Sequence, residues 1–196
     1  MGETLLPERL PEGARSVVLV EGESDRAAVE TAAVRMGRDL GGDGISVVAM
    51  GGATNIGHYL ARFGPDGQNL RLAGLCDVNE ESYFRREIEH LGLGRGLSRS
   101  DMEALGFYVC VEDLEDELIR ALGTGAVEAF IEGQGELQSL RTLQNQPAHR
   151  GGATEQHLRR FMGSRSGRKL RYAAGLVSQL DSETLPRPLV GLLTNL

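Results

Sequence analysis

The chain has 196 residues, 40% of them hydrophobic but scattered over short runs, which is enough for one cored domain and far short of the roughly 20 apolar residues of a membrane span. Its start, MGETLLPERLPEGARS, places acids and prolines where a signal peptide has a basic start and an apolar segment, so a cytoplasmic protein with no membrane partner is expected. The net charge of −7 conceals an asymmetry: residues 1–140 hold 12 Arg against 25 Asp and Glu, and residues 141–196 hold 9 basic against 3 acidic residues, so an acidic part suited to metal precedes a basic part suited to phosphate.

After a polar leader at 1–14, SVVLV at 16–20 is β-branched and apolar without alternation, which predicts a strand buried on both faces. Gly22 allows a tight turn, and Ser24 is expected to cap a helix running to about 36. Gly37, Gly41, Gly42 and Gly44 mark a loop, ISVVAM at 45–50 a second buried strand, Gly51-Gly52 a turn, and 53–63 a short helix. A third strand is predicted at 70–76, a helix at 80–91 and a fourth strand at 107–111. Beyond it the chain reads as helices at 113–122, 126–131, 155–161 and 169–180, with a turn after Pro186. The expected organisation is an α/β core at 15–123 and a basic helical extension at 124–196 packed on it. Strands alternating with helices imply a mostly parallel four-stranded sheet whose carboxyl ends share the edge where ligands bind.

Acidic groups follow the first, third and fourth strands: Glu21-Gly22-Glu23-Ser24-Asp25, Asp77-Val78-Asn79-Glu80-Glu81, and Glu112-Asp113-Leu114-Glu115-Asp116-Glu117. Each alone has a plain reading as a helix start, where carboxylates and Asn are favoured. Gathered on one edge of a parallel sheet, the three would repel one another unless a cation sat among them. Cys76 and Cys110 form no metal-type pair and read as buried thiols. His58, His90, His149 and His157 are scattered without zinc spacing.

These residues resemble the TOPRIM family. VVLVEGESDRAAVE is similar to its first motif, GLCDVNEE to its second and AMGGATNIGHYL to its glycine-containing turn. The third acidic group and GRKLRYAAGLVSQLDSETLPRPL resemble the overcoming lysogenization defect (OLD) nucleases, over roughly 15–195. The resemblance implies a Rossmann-like TOPRIM sheet flanked by helices and a site for one or two Mg²⁺ or Mn²⁺ ions. Glu21, Asp25, Asp77 and Glu115 match metal-holding positions. Asn79 stands where the family commonly has a second Asp, so Glu80 or Glu81 would substitute for it, or the second metal would be held weakly. The candidate metal set is therefore Glu21, Asp25, Asp77, Asn79, Glu80 and Glu115.

Twenty of the 21 basic residues are Arg; Lys169 is the lone lysine. A compact ammonium suits charge developing on a phosphate, and Lys169 matches a lysine of OLD-type sites, so Glu21 and Lys169 are the candidate catalytic residues. Arg159, Arg160, Arg165, Arg168 and Arg171 around it are expected to contact a nucleic acid backbone. Lys169 is followed by Leu170, so the chain has no Gly-Lys-Ser/Thr phosphate loop and no ATP site. The expected function is metal-dependent hydrolysis of DNA or RNA phosphodiesters, with a separate ATPase or repair partner. The alternatives are a non-catalytic nucleic-acid-binding or regulatory module, or a TOPRIM enzyme of primase or small RNase type.

Overall fold

The computed structural model describes residues 10–147, 149, 151–164 and 167–196. Its centre is one sheet of four parallel strands, β1 (Ser16–Val20), β2 (Ile45–Ala49), β3 (Arg71–Cys76) and β4 (Phe107–Val109), in the order β2-β1-β3-β4. The first two thirds of the chain add helices α1 (Glu23–Arg35), α2 (Ile56–Phe63), α3 (Glu81–His90), α4 (Arg99–Ala104) and α5 (Leu114–Leu122). The remainder supplies α6 (Thr124–Gly133), α7 (Leu137–Gln144), α8 (Thr154–Gly163), α9 (Arg168–Ser178) and α10 (Arg187–Thr194).

β1 is wholly buried because helices cover both faces of the sheet. Val18 and Val20 enter a core shared with α1 and α5–α10, and Val17 and Leu19 enter a second core with α2, α3 and α4. The helices after residue 123 thus supply much of one layer: α9 lies along α1, and α10 against β3, β4 and α1. From β1 the chain moves outward to β2 through α1, then crosses past β1 to β3 through α2 on the opposite face. The strand order reverses between β1 and β3, and in such sheets ligands bind at that point, outside the strands' carboxyl ends.

Differences from the sequence expectation have local causes. Gly22, not Ser24, is the N-cap of α1, with φ −140° and ψ 177°, an extended conformation open to any residue; its turn needs no glycine. Gly51 and Gly52 do need theirs, with φ of 70° and 132°. β4 ends at Val109 because the Val111 N–H donates to the Glu117 carboxylate at 2.8 Å instead of to a ladder partner. α4 and α7 are additional helices. α4 starts at a Ser98 cap whose hydroxyl accepts the Asp101 N–H at 3.2 Å, and α10 replaces the expected turn. No helix among the described residues is long and apolar enough to cross a membrane.

Candidate metal centre

Glu21 follows β1 and Asp77 follows β3, so adjacent parallel strands deliver both to one edge of the sheet. Three helices bring further charges by a common device. Asp25 heads the buried stripe Ala28, Val29, Ala32 of α1; Glu115 heads Leu118 and Ile119 of α5; Lys169 heads Tyr172, Ala173, Leu176 of α9. Residues three, four and seven apart share a helix face. The stripe that docks each helix therefore carries its first-turn charge inward.

The outcome is a charged interior under mutual strain. Burial pushes Asp25 and Glu115 above the usual carboxylate range, against the pull of Lys169. Asp77 is pushed up to about 8 by burial, with repulsion from Asp25 and Asp113 adding to it. Burial works against the Lys169 ammonium, yet Glu115 and Asp25 prevail and push it up to about 12. Lys169 Nζ lies 3.3 Å from Glu115 Oε1, an ion pair whose alignment leaves that oxygen without a hydrogen bond. Asp25 also accepts the Gly22 N–H at 2.9 Å.

Ion pairs account for most neighbouring acids. Glu81 is held by Arg85 and Arg99, Asp113 by Arg159, and both Asp116 and Glu117 by Arg120. Among the described residues Glu21, Asp77 and Glu80 make no ion pair, and one oxygen from each lies within 4.8 Å of the others. Glu80 Oε2 is shielded from solvent and has no hydrogen-bond partner. Three half-buried carboxylates without cations, one carrying an orphaned oxygen, fit a hard divalent ion of the Mg²⁺ or Mn²⁺ class. Asn79 is exposed and is not brought into this group; Glu80 stands there instead, while Glu81 is already taken.

The chain is similar to known proteins in sequence and in fold. Residues 14–77 match the family described as the overcoming lysogenization defect protein-like TOPRIM domain. The whole fold is similar to the C-terminal region of the Burkholderia pseudomallei OLD protein, with TM-score 0.73 and 22% identity over 93% of this chain and 96% of that one. It is likewise similar to the C-terminal region of the Xanthomonas campestris pv. campestris OLD protein, with TM-score 0.72 and 25% identity over 93% and 91% of the two chains. The match to an OLD-like TOPRIM domain thus rests on residues 14–77, and the likeness over the rest of the chain is one of fold. The matched segment spans β1 to Asp77 and so contains two of the three unpaired carboxylates, Glu21 and Asp77.

The arginines divide sharply. Arg168 is only 3% exposed: it forms a two-point ion pair with Glu136, donates to the Phe161 carbonyl and the Ser164 hydroxyl, and stacks on the Phe161 ring. The expectation that it meets nucleic acid does not fit this burial; its guanidinium is consumed inside the fold. Arg171 also pairs with Glu136, at 2.8 Å, and Arg159 donates to Asp113. Arg165 lies outside the described residues. Arg160 is exposed and makes no ion pair among the described residues, which leaves it the freest cation of the set.

Sequence reasoning missed Glu136, which accepts from Arg168, Arg171 and Tyr172 and is pulled down to about 2, first by the Arg168 hydrogen bond. Asp113, expected only as one of several acids at a helix start, is the N-cap of α5, and its carboxylate accepts the Asp116 N–H at 2.8 Å. His157 is buried and donates to the His149 carbonyl at 2.7 Å, a structural role. Cys76 and Cys110 are buried thiols. An apolar cavity of about 380 Å³ beside β2, lined by Ala33, Val34, Leu40 and Ile45 among others, contains none of the candidate site residues. The candidate residues Glu21 and Asp77 lie instead just past the carboxyl ends of β1 and β3.

Proposed function

We propose that this chain is a metal-dependent nuclease module that hydrolyses phosphodiester bonds of DNA or RNA. The observation that carries the reading is the set of three carboxylates with no ion pair among the described residues, Glu21, Asp77 and Glu80, past the carboxyl ends of β1 and β3, with the Lys169 ammonium within electrostatic reach of Asp77. Glu21, Asp77 and Glu80 would hold Mg²⁺ or Mn²⁺. Such an ion supplies Lewis-acid polarisation of a phosphoryl oxygen and lowers the pKa of a bound water.

The chain's own groups supply position and charge. Lys169, the candidate catalytic lysine, presents a compact positive charge where negative charge grows on phosphorus-bound oxygens. Its pKa of about 12 keeps it an ammonium at neutral pH, so it acts by charge and not as a base. Glu21 sits at the strand end beside Gly52, whose N–H donates to the Glu21 carbonyl at 3.1 Å. The Gly51-Gly52 backbone there has open space where side chains would project, room for a sugar-phosphate chain. Arg160 offers a backbone contact outside the acidic crevice. Because no Gly-Lys-Ser/Thr loop occurs in these residues, any coupling to ATP would come from outside them.

The test is cleavage of supercoiled plasmid and of a labelled RNA with Mg²⁺ or Mn²⁺, set against EDTA and against gel retardation of the same nucleic acids. Metal-dependent cleavage that Asp77→Ala abolishes is the expected result. Retardation without cleavage would point to the non-catalytic, regulatory alternative.

A further inference from the structure

We propose that the polar cavity between α7, α8 and α9 is a phosphate-binding subsite, which takes one phosphate of a nucleic acid strand, internal or terminal, on the flank of the metal centre. The inference rests on the nucleic acid reading above and adds to it a recessed site that recognises a single phosphate.

The cavity has a volume of about 370 Å³, ample for a phosphate group. Its polar lining is hydroxyl, amide and guanidinium: Ser139, Thr142 and Gln146 from α7 and the turn after it, Arg160 from α8, Ser164 at the end of that helix, and Arg168 from α9. No carboxylate lines it, in a chain of net charge −7, whereas the cavity beside β2 includes Glu30 and Asp39. Among the described residues the side chains of Ser139, Gln146 and Arg160 make no hydrogen bond or ion pair, so their donors are available to an anion. Arg168 has a different part. The Ser164 hydroxyl accepts from its Nη1 at 2.7 Å and donates to the Phe161 carbonyl at 2.8 Å, which holds that wall in place. Glu136, the one acid bonded to a lining residue among the described residues, is shared by Arg168 and Arg171, so this wall keeps a net positive charge.

The position of the cavity follows from two pairs of consecutive residues. On α8, Arg159 donates to Asp113 while Arg160 lines the cavity; on α9, Lys169 pairs with Glu115 while Arg168 lines it. Successive residues of a helix point about 100° apart. Both helices therefore turn one face to the acids that follow β4 and the adjoining face to the cavity. A strand held at the metal centre meets a second, oppositely charged seat one helix width away, and a single guanidinium with neutral donors around it matches the single charge of a phosphodiester.

The experiment is fluorescence anisotropy of short single-stranded DNA and RNA oligonucleotides in EDTA, on wild type, Arg160→Gln and Ser139→Leu. The oligonucleotides carry one neutral methylphosphonate at each internal position in turn, or carry or lack a terminal phosphate. Wild type should bind about tenfold more weakly when one particular phosphate is neutralised or removed; an internal position identifies a backbone phosphate, and an end position a terminal one. Arg160→Gln removes the charge and Ser139→Leu fills the cavity without touching charge. Both should bind the unmodified strand about tenfold more weakly and lose the sensitivity at that position. Thr142→Leu fills the same cavity and replaces Ser139→Leu if that variant does not fold. Uniform response to every position in the wild type, or a folded cavity-filling variant that binds and discriminates as the wild type does, would overturn the inference and make Arg160 a surface charge only. Because no metal is present, these outcomes leave the carboxylate site untouched, and absence of metal-dependent cleavage leaves the subsite standing.

Discussion

Asp77 and Glu81 lie four residues apart in one acidic run and have opposite electrostatic fates. Asp77 is held up at about 8, by burial and by the repulsion of Asp25 and Asp113, whereas Glu81 sits below its ordinary value because hydrogen bonds and charge from Arg99 and Arg85 outweigh the effect of burial. The first is disfavoured as an anion even with Lys169 nearby; the second already has two guanidinium partners.

This difference makes stability and metal binding depend on pH. The folded pKa of Asp77 is raised above its unfolded value, so its contribution is fully present below the ordinary carboxylate pKa near 4 and is lost as pH rises through about 8. The metal-free protein should lose melting temperature across that window, and Asp77→Asn should flatten the loss. Mg²⁺ or Mn²⁺ competes with the proton, so its stabilisation should grow as pH rises from 6 to 8.5. Melting curves with EDTA and with millimolar metal at several pH values check both statements. Equal melting temperatures with and without metal at pH 8.5 would sink the site.

Asn79 and Glu80 can be separated directly. Only Glu80 belongs to the unpaired trio, so Glu80→Gln should weaken Mn²⁺ binding by about tenfold or more, and Asn79→Asp should change it by less than about threefold. Calorimetric titration decides. Tighter binding in Asn79→Asp would place that exposed side chain in the coordination sphere after all.

Arg168 and Glu136 should govern stability and not nucleic acid affinity. Arg168→Ala removes a buried guanidinium and leaves the half-buried Glu136 carboxylate with only Arg171 and Tyr172, and should cost about 3 kcal/mol. The Glu136 pKa is depressed, so its contribution is present above the ordinary carboxylate pKa near 4.3 and is lost as pH falls toward 2. Glu136→Gln should remove that acid-side dependence. Urea unfolding at pH 7 and acid melts give the numbers.

Arg159 and Arg160 are neighbours with different expected phenotypes. Arg160→Ala should weaken nucleic acid binding and reduce the salt slope by about 0.9. Arg159→Ala frees Asp113, a neighbour that already raises Asp77, so it should disturb the metal-binding pH profile as well. Salt-dependent gel retardation and Mn²⁺ titration, run on each single variant, distinguish them.

Lys169→Ala should lower cleavage by roughly 10²-fold or more with little change in nucleic acid affinity, because its charge matters most as the transition state forms. Lys169→Arg, with a wider and planar head, should recover only part of the rate. Full activity in Lys169→Arg would show that any cation there suffices.

Much of this protein was legible in the sequence because its signals are local. Unbroken apolar runs such as SVVLV and RLAGLC dictate buried strands, and the acids just past Val20 and Cys76 must then stand at strand ends on one edge. Asp25 was readable as an acid in the first turn of a helix, whereas Glu115 and Lys169 were singled out by resemblance to OLD-type sites; the structure adds that each heads a buried helix stripe. Which of the many acids stay without a cation was not readable. That depends on partners brought close only by folding: Arg99 to Glu81 over 18 residues, Arg168 to Glu136 over 32, Arg159 to Asp113 over 46. Along the chain these side chains are interchangeable charges. Tertiary packing decides which are neutralised, and so it selected Glu80 over Asn79 and Glu81 at the candidate site and turned Arg168 from a surface cation into a strut of the core.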